Sequence, residues 1–459
     1  MAASAFHSAL AFFSDELQHA LIVIQPLGGG MSHTRFSLWR PWQRTLAGFA
    51  VGAALAIGVS PVQALPSFAR QTGMECASCH VGGFGPQLTP AGTLFKMGGY
   101  TDSDGKDGKI PLSAMVIGSY THTREDQDPE PGLKANNNLK MNEAALFFAG
   151  RVTDSIGGFA ELNYDGIEHK TAVDRVDFRY ARALRLDGRD ATFGISVNNT
   201  PSSSDPFNTL PASIFPYTDS PAAVGTGESA TLINGGLEHR VLGAVAYANY
   251  GGLYGELGSY GSLSPSLQSK IGQGRDYQRL SMGSNAYWRL AWMQDLKTQA
   301  FHVGVFGWSA DVQPDRTVAS PKDRYHDVGV DAGYQLLGNR EHMLTLNGSY
   351  VREHRTDIEG AKSSLRETRL NASYYYQQTW GASIGRFATT GSDPAAATRG
   401  QMLQLDWTPW GKENANPPAF LSLANLRLGL QYWNYNEFGG LSSGAKDHNT
   451  TYLFSWLSF

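Results

Sequence analysis

The residues best suited to chemistry in this sequence are Cys76, Cys79 and His80, which lie together in the stretch TGMECASCHVGGFG. They include the only two cysteines among 459 residues. In an exported protein, the spacing Cys-x-x-Cys-His predicts covalent attachment of one haem c, because each thiol can bond one vinyl group of the porphyrin. The imidazole of His80 is then placed to be the proximal ligand of the haem iron.

Three other chemistries use cysteines at this spacing. A disulfide between Cys76 and Cys79 would close a tight ring, and it stays an alternative. A thioredoxin-like redox pair requires a βαβ pattern, which the neighbouring sequence lacks. A zinc site requires further Cys or His ligands at regular spacing, and the chain has no second cysteine pair.

The distal ligand of such a haem is open to more than one residue. Met97, in the stretch TLFKMGGY, follows His80 at a distance that allows it to cap the far side of the iron, and it is our candidate distal ligand. Met74, just before the motif, and His122 and His239, in or near the later strands, are alternatives. A His/Met ligand pair would raise the reduction potential relative to two histidines.

The first 64 residues carry the signs of export. An apolar segment spans residues 46–59, and a small-residue pattern ending at Ala64 predicts cleavage there. We therefore predict a signal peptide at residues 31–64, and we expect residues 1–30 to be an upstream extension without a role in the fold. An uncleaved anchor is the alternative, although the apolar segment is shorter than the about 20 residues of a spanning helix. Three arginines precede the apolar segment: Arg35, Arg40 and Arg44.

The composition favours an outer-membrane barrel. Charged residues are 17% of the chain, whereas about 25% is usual, and glycine is abundant with 52 residues. The net charge of −4 comes without a visible basic patch, so we expect no nucleic-acid partner.

From about residue 110 onward, apolar and polar side chains alternate with a period of two. Val176, Phe178 and Tyr180, for example, alternate with Asp177 and Arg179. This pattern predicts strands with one apolar and one polar face. About sixteen strands are predicted, near residues 110–121, 139–152, 156–164, 172–186, 191–198, 241–248, 253–260, 284–293, 298–309, 324–336, 342–352, 365–377, 380–387, 401–408, 424–434 and 449–459.

The connections between these strands alternate between long and short, as in outer-membrane barrels with long extracellular loops and short periplasmic turns. The final stretch TYLFSWLSF resembles the terminal-aromatic signal of bacterial outer-membrane proteins. We therefore predict an all-β fold in which residues 109–459 form an antiparallel, porin-like transmembrane β-barrel. The long connection at residues 199–240 is either a lumenal constriction or an exposed loop.

Residues 65–108 are predicted to be a monohaem cytochrome c segment. A segment of this size is near the limit for folding alone, even before it must bury a porphyrin. We therefore expect it to act as a plug that uses the lumen wall as the missing half of its haem pocket.

The run LPSFARQTGMECASCHVGGFGPQLTPAGTLFKMGGYT, followed by a sixteen-strand region ending in Phe459, resembles the fused monohaem cytochrome–porins. That family includes the outer-membrane iron oxidases of iron-oxidising bacteria. The resemblance implies attachment roles for Cys76 and Cys79 and the proximal role for His80. It also implies that extracellular Fe(II) is oxidised and that the electron passes to a periplasmic c-type cytochrome or cupredoxin.

The donor itself is not named by the haem motif. The alternatives are a haem-porin that exchanges electrons with another extracellular donor or acceptor, and a passive porin with a haem-bearing plug. Fe(II) is a hard cation that carboxylates attract, although ordinary solvated charges are the simpler explanation for each acid. The acids considered are Glu125, Asp126, Asp128 and Glu130 in the first long loop and Glu143, Asp177, Asp327 and Glu367 on predicted lumen-facing positions.

Overall fold

The computed structural model describes residues 66–106, 108–210, 215–227, 229–235, 237, 240–274, 279–318, 321–412, 415 and 424–459. The predicted signal peptide, the upstream extension and His239 lie outside the described residues. Sixteen strands of the described chain form a closed antiparallel barrel, in which each strand pairs with its neighbours in sequence and β1 pairs with β16. The predicted fold class is therefore confirmed.

The strands are β1 (Leu112–Thr123), β2 (Asn138–Thr153), β3 (Ile156–Asp165), β4 (Lys170–Leu186), β5 (Arg189–Asn198), β6 (Val241–Tyr250), β7 (Leu253–Ser262), β8 (Ser281–Asp295), β9 (Gln299–Gln313), β10 (Asp323–Leu336), β11 (His342–Thr356), β12 (Lys362–Tyr376), β13 (Trp380–Gly391), β14 (Thr398–Trp407), β15 (Asn425–Glu437) and β16 (Thr450–Ser458). Each overlaps one predicted strand.

Alternation along the strands produces a membrane-facing exterior. In β5, Phe193, Ile195 and Val197 are exposed, whereas Ser196 and Asn198, which alternate with them, are buried in the lumen. Apolar side chains outside and polar ones inside are what a barrel in a lipid bilayer requires, because all backbone hydrogen bonds are already made within the closed sheet. No helix of the described residues is long and apolar enough to cross a membrane.

The N-terminal segment consists of short helices: α1 (Pro66–Thr72), α2 (Cys76–Cys79), the 3₁₀ turn Val81–Gly83 and α3 (Pro90–Met97). Thr89 caps α3 by accepting a hydrogen bond from the backbone N–H of Gly92, and Pro90 occupies the first helical turn. The other helices of the described residues are in loops: α4 (Pro201–Ser204), α5 (Pro265–Lys270) and the 3₁₀ turns Leu232–Asn234, Pro394–Ala396 and Ala445–His448.

The segment packs against the inner wall, near the end of the barrel with the short turns. Arg340, in the turn between β10 and β11, donates to the carbonyl oxygen of Ala77 at 2.9 Å. Gln71 accepts from the backbone N–H of Arg151 at 2.6 Å. Phe84 packs edge-on against Trp456 of β16, with ring centroids 5.1 Å apart.

A buried ionic junction, Asp177 with Arg179, joins the segment to the wall and to the long loop. The Arg179 Nε donates to Asp177 at 2.8 Å, and the hydroxyl of Tyr100 donates to the same carboxylate at 2.7 Å. Arg179 also donates to the carbonyl oxygens of Ser203 and Ser204 at 2.8 and 3.1 Å. One strand thereby holds the N-terminal segment and the loop in fixed relative positions.

The loop at residues 199–240 folds into the lumen wherever the structure describes it. The backbone N–H groups of Leu232 and Ile233 donate to Glu353 and Asp327 at 2.7 and 2.8 Å. The N–H of Thr231 donates to Glu367. Three carboxylates on adjacent strands β10, β11 and β12 therefore hold the free N–H groups of one 3₁₀ turn, and of the two predicted alternatives the lumenal one is correct.

The first prediction concerns this anchoring. Hydrogen bonds to charged groups contribute about 1.5–3 kcal/mol each, so Glu353→Ala with Glu367→Ala should free the loop from the wall. We expect higher single-channel conductance in planar bilayers and faster proteolysis of the loop. Glu359→Ala, in an exposed loop, is the control and should leave both unchanged. Unchanged conductance and proteolysis in the double variant would contradict the anchoring role.

Candidate functional site

A cavity of about 500 Å³ lies between the N-terminal segment and the barrel wall. Its size falls within the range of about 300–1,000 Å³ typical of small-molecule and cofactor sites. Cys76, Cys79 and His80 all line it, and Tyr217 and Thr218 of the lumenal loop line another side. Apolar side chains from the segment and the strands make up much of the remaining wall: Phe68, Phe84, Leu88, Phe95, Met115, Ile117, Phe147, Phe159 and Trp456.

The two thiols are presented by the single turn of α2. Residues three apart in a helix lie on the same face, which explains why Cys76 and Cys79 reach one cavity. Both are free in the structure, and burial raises the pKa of each thiol above its ordinary value. Asn425 of β15 lies 3.4 Å from the Cys76 sulfur and donates to the carbonyl oxygen of Gly83 at 2.8 Å. The barrel therefore fixes the position of the motif.

His80 is oriented by its own backbone surroundings. Its Nδ1 lies 3.3 Å from the carbonyl oxygen of Gln87, an acceptor that requires the proton on Nδ1. Nε2 is then unprotonated and available as a metal ligand, the arrangement seen in many metal-binding histidines. Burial lowers the pKa of His80 to about 4, which keeps the imidazole neutral at neutral pH.

These residues fit a covalently attached haem c. The donor set is two thiols and a neutral imidazole on one face, and the surrounding wall is aromatic and aliphatic, as a porphyrin requires. The zinc alternative finds no support, because the described residues contain no group of three His, Cys, Asp or Glu side chains that could hold a metal ion. The disulfide alternative finds none either, since both cysteines are unpaired.

A glycine lets α3 pack onto the attachment motif. A Cβ at Gly92 would overlap the carbonyl oxygen of Cys79 and touch Leu88 at 3.0 Å. Thr89 reinforces this contact, because its N–H donates to the Cys79 carbonyl at 2.9 Å and its hydroxyl to that of Ser78 at 2.7 Å. The helix is thus packed directly against the residues that would hold the porphyrin.

The structure does not bring Met97 to the cavity. Its side chain is 1% exposed and packs with Phe207, Tyr247 and Tyr254 in a separate apolar cluster. Met74 does line the cavity and is 45% exposed. The methionine chosen for its spacing after His80, Met97, therefore packs in an apolar cluster. The methionine that shares the cavity with His80 is Met74, which precedes the motif. His122 is exposed at the end of β1 and donates to, or accepts from, Asn137.

The acids predicted to attract iron have different surroundings. The four in the first long loop, Glu125, Asp126, Asp128 and Glu130, are exposed and do not line the cavity. Asp177 binds Tyr100 and Arg179, while Asp327 and Glu367 hold the lumenal loop, so these three have structural partners. Of the eight, only Glu143 lines the cavity.

Sequence reasoning missed three polar residues of the cavity wall on β3. Glu161, Asn163 and Asp165 follow Phe159 on the lumenal face, while Leu162 between them faces outward and is exposed. The alternation in GGFAELNYD would have placed them on one face. It could not have shown that this face adjoins the haem motif, because that depends on where the segment packs.

Comparisons with known proteins concern the barrel. No family model and no curated protein matches the chain. The anion-selective porin from Comamonas acidovorans is similar over 76% of this chain and 98% of its own, with 12% identity and a TM-score of 0.45. Salmonella typhi OmpF in complex with daunomycin is similar over 76% of this chain and 98% of its own, with 11% identity and a TM-score of 0.45. In-vitro folded OmpT of Vibrio cholerae is similar over 77% of this chain and 98% of its own, with 11% identity and a TM-score of 0.40. This likeness describes barrel architecture and carries no information on a cofactor or substrate.

A second prediction follows from the contact of α3 with the motif. Gly92→Ala should displace α3 or the Cys79 backbone, since overpacking a tight contact costs about 1–3 kcal/mol. We expect a marked fall in haem per polypeptide, measured by the pyridine haemochrome assay on purified protein. Gly261→Ala is the control, because nothing lies within 4 Å of a Cβ there. Full haem content in Gly92→Ala would show that the close approach is dispensable.

A third prediction concerns the distal ligand. Met97→Leu preserves an apolar side chain in the packed cluster, so we expect the absorbance spectrum of the haem-loaded protein to be unchanged. If a methionine caps the iron, Met74→Leu should abolish the methionine–iron absorption band. Each variant is the control for the other. Loss of the methionine–iron band in Met97→Leu but not in Met74→Leu would contradict the prediction and identify Met97 as the ligand.

Proposed function

We propose that this protein is an outer-membrane c-type cytochrome fused to a porin-like barrel, which oxidises extracellular Fe(II) and passes the electron to a periplasmic carrier. The observation that carries the proposal is that Cys76, Cys79 and His80 line one largely apolar cavity inside a transmembrane barrel. Export would use the signal peptide at residues 31–64, and the short turns, with the N-terminal segment, would face the periplasm.

The haem, when bound, supplies a centre that can accept and release one electron. Each turnover converts one Fe(II) to Fe(III) outside, and one electron reduces one molecule of a periplasmic c-type cytochrome or cupredoxin. The chain therefore acts as an oxidoreductase that returns to its starting state after each electron has passed through.

The protein's own residues have three tasks in this scheme. Cys76 and Cys79 fix the cofactor covalently, and His80 offers Nε2 while the Gln87 carbonyl holds its Nδ1 proton. Phe84, Phe147 and other apolar side chains exclude water from the cavity. The lumenal loop closes one side of the cavity. This part of the lumen therefore transfers electrons and does not conduct solutes.

The periplasmic side of the cavity is the natural exit for the electron. Met74 and Glu75 line the cavity, and Met74 is exposed on the segment near the short turns. A soluble carrier protein that docks at this end would approach the cofactor without entering the barrel.

A second candidate function is electron exchange with a different extracellular donor or acceptor. It is favoured by the absence, among the described residues, of three side chains that converge to ligate a bare metal ion. A passive porin with a haem-bearing plug is compatible with the barrel, but the packed segment and loop in the lumen leave it less room for solute flow.

A fourth prediction tests the electron donor. Purified, haem-loaded protein mixed anaerobically with excess Fe(II) in a stopped-flow instrument should show haem reduction by absorbance, followed by reoxidation when an oxidised periplasmic cytochrome is added. Cys76→Ser with Cys79→Ser, which cannot attach haem, is the control for non-specific absorbance changes. A haem that stays oxidised with Fe(II) but is reduced by an organic reductant would instead support the second candidate function.

A further inference from the structure

One wall of the cavity is built from oxygen-bearing side chains on two paired strands. Glu143 of β2 and Glu161, Asn163 and Asp165 of β3 all line it. Glu143 lies opposite Asp165 in the register, and Asn163 donates to Glu143 at 3.2 Å. We call these four residues the carboxylate wall. Asp165 is the last residue of β3, so the wall extends toward the end of the barrel that carries the long loops.

Irregularities in the sheet occur on both sides of this wall. The register of β1 with β2 shifts beside Glu143, and the register of β3 with β4 shifts at Glu161. Such bulges are frequent next to functional sites. Here they flank the two glutamates of the wall.

The wall has oxygen atoms without partners. Glu161 is 3% exposed, and within the described part of the chain its Oε1 has no hydrogen-bond partner. Its Oε2 has only a long ion pair of 3.8 Å with Arg175 of β4. The Oδ1 of Asn163 is likewise unpartnered. Burying a carboxylate oxygen without a partner is costly, and the cost is removed when a cation is close.

The charges around the wall leave it acidic. The wall contributes three of the five carboxylates that line the cavity, whereas only two cationic side chains of the described residues line it, Arg175 and Lys96. The other two carboxylates belong to Glu75 and Asp219. Asp174, next to Arg175 on β4, adds a further carboxylate close by. The wall is therefore suited to a cation, and carboxylate and amide oxygens favour hard divalent ions.

We propose that the carboxylate wall binds one hydrated divalent cation, and that in function this cation is the Fe(II) to be oxidised. The ion keeps its water ligands, because no three His, Cys, Asp or Glu side chains of the described residues converge closely enough to replace them. Water ligands donate hydrogen bonds to the carboxylates, much as Mg²⁺ is held in sites where it retains its water. The identity of the ion rests on the proposed function, but the cation site does not.

The position of the carboxylate wall relates cation binding to electron transfer. The same cavity is lined by Cys76 and His80 and by the carboxylate wall, so a cation held there shares one cavity with the residues that would hold the cofactor. Fe(II) gives up one electron to the haem and leaves as Fe(III), with no bond made between iron and protein. The exposed acids of the first loop, by contrast, lie outside the cavity.

The test uses Mn²⁺, which resembles Fe(II) in charge and does not reduce haem. Haem-loaded full-length mature protein is titrated with Mn²⁺, and free Mn²⁺ is measured by electron paramagnetic resonance. We expect one bound ion in the wild type, and affinity at least about tenfold lower in Glu143→Gln with Glu161→Gln, since affinity follows ligand charge. Glu125→Gln with Asp126→Asn is the matched control and should bind as the wild type does.

Unchanged Mn²⁺ affinity in the Glu143/Glu161 variant, or loss of binding in the loop control instead, overturns the proposal. A second measurement needs only the wild-type protein, so it stays informative even if the variant misfolds. Mn²⁺ at the wall should be broadened by the nearby ferric haem, and a bound ion without this coupling also overturns the proposal. Failure of the proposed function is seen separately, as Mn²⁺ binding at the wall without haem reduction by Fe(II).

Discussion

The ion pair between Asp177 and Arg179 is the interaction on which the interior depends. Both side chains are fully buried, and between them they bind Tyr100 of the N-terminal segment and the carbonyl groups of Ser203 and Ser204 in the loop. Breaking a buried pair by removing one partner costs about 3–5 kcal/mol, because a charge is left unpaired. The segment and the loop both line the cavity, so the strand that binds both of them fixes two parts of its wall.

The N-terminal segment is too small to form such a cavity alone, and the barrel supplies much of the wall. Its helices contribute the haem motif and a few apolar side chains, while β1, β2, β3 and β16 contribute Met115, Phe147, Phe159 and Trp456. The lumen face of a barrel is ordinarily polar, so this apolar part of the wall is a local departure from the rule. It occurs where the segment packs, as expected if wall and segment form a single pocket.

The sequence predicted the barrel well because period-two alternation reports directly which face of a strand is apolar. It also predicts haem attachment at Cys76 and Cys79, because the spacing itself carries the chemistry, and this stays a prediction. It could not decide the position of residues 199–240, since a Pro- and Ser-rich loop suits water and a polar lumen equally. It could not show that Met97 packs outside the cavity, since sequence distance from His80 does not tell which side of α3 faces the cavity. Glu161 and Asp177 both face the lumen by alternation, yet only the packed structure shows that one has partners and the other has a free oxygen.

The contacts of the haem motif span the whole length of the chain. Asn425, which lies beside Cys76, begins β15, and Trp456, which packs on Phe84, belongs to the last strand. A nascent or truncated chain that lacks these two strands has the attachment motif but only part of its enclosure. Completion of the cavity around Cys76 thus coincides with closure of the barrel between β1 and β16.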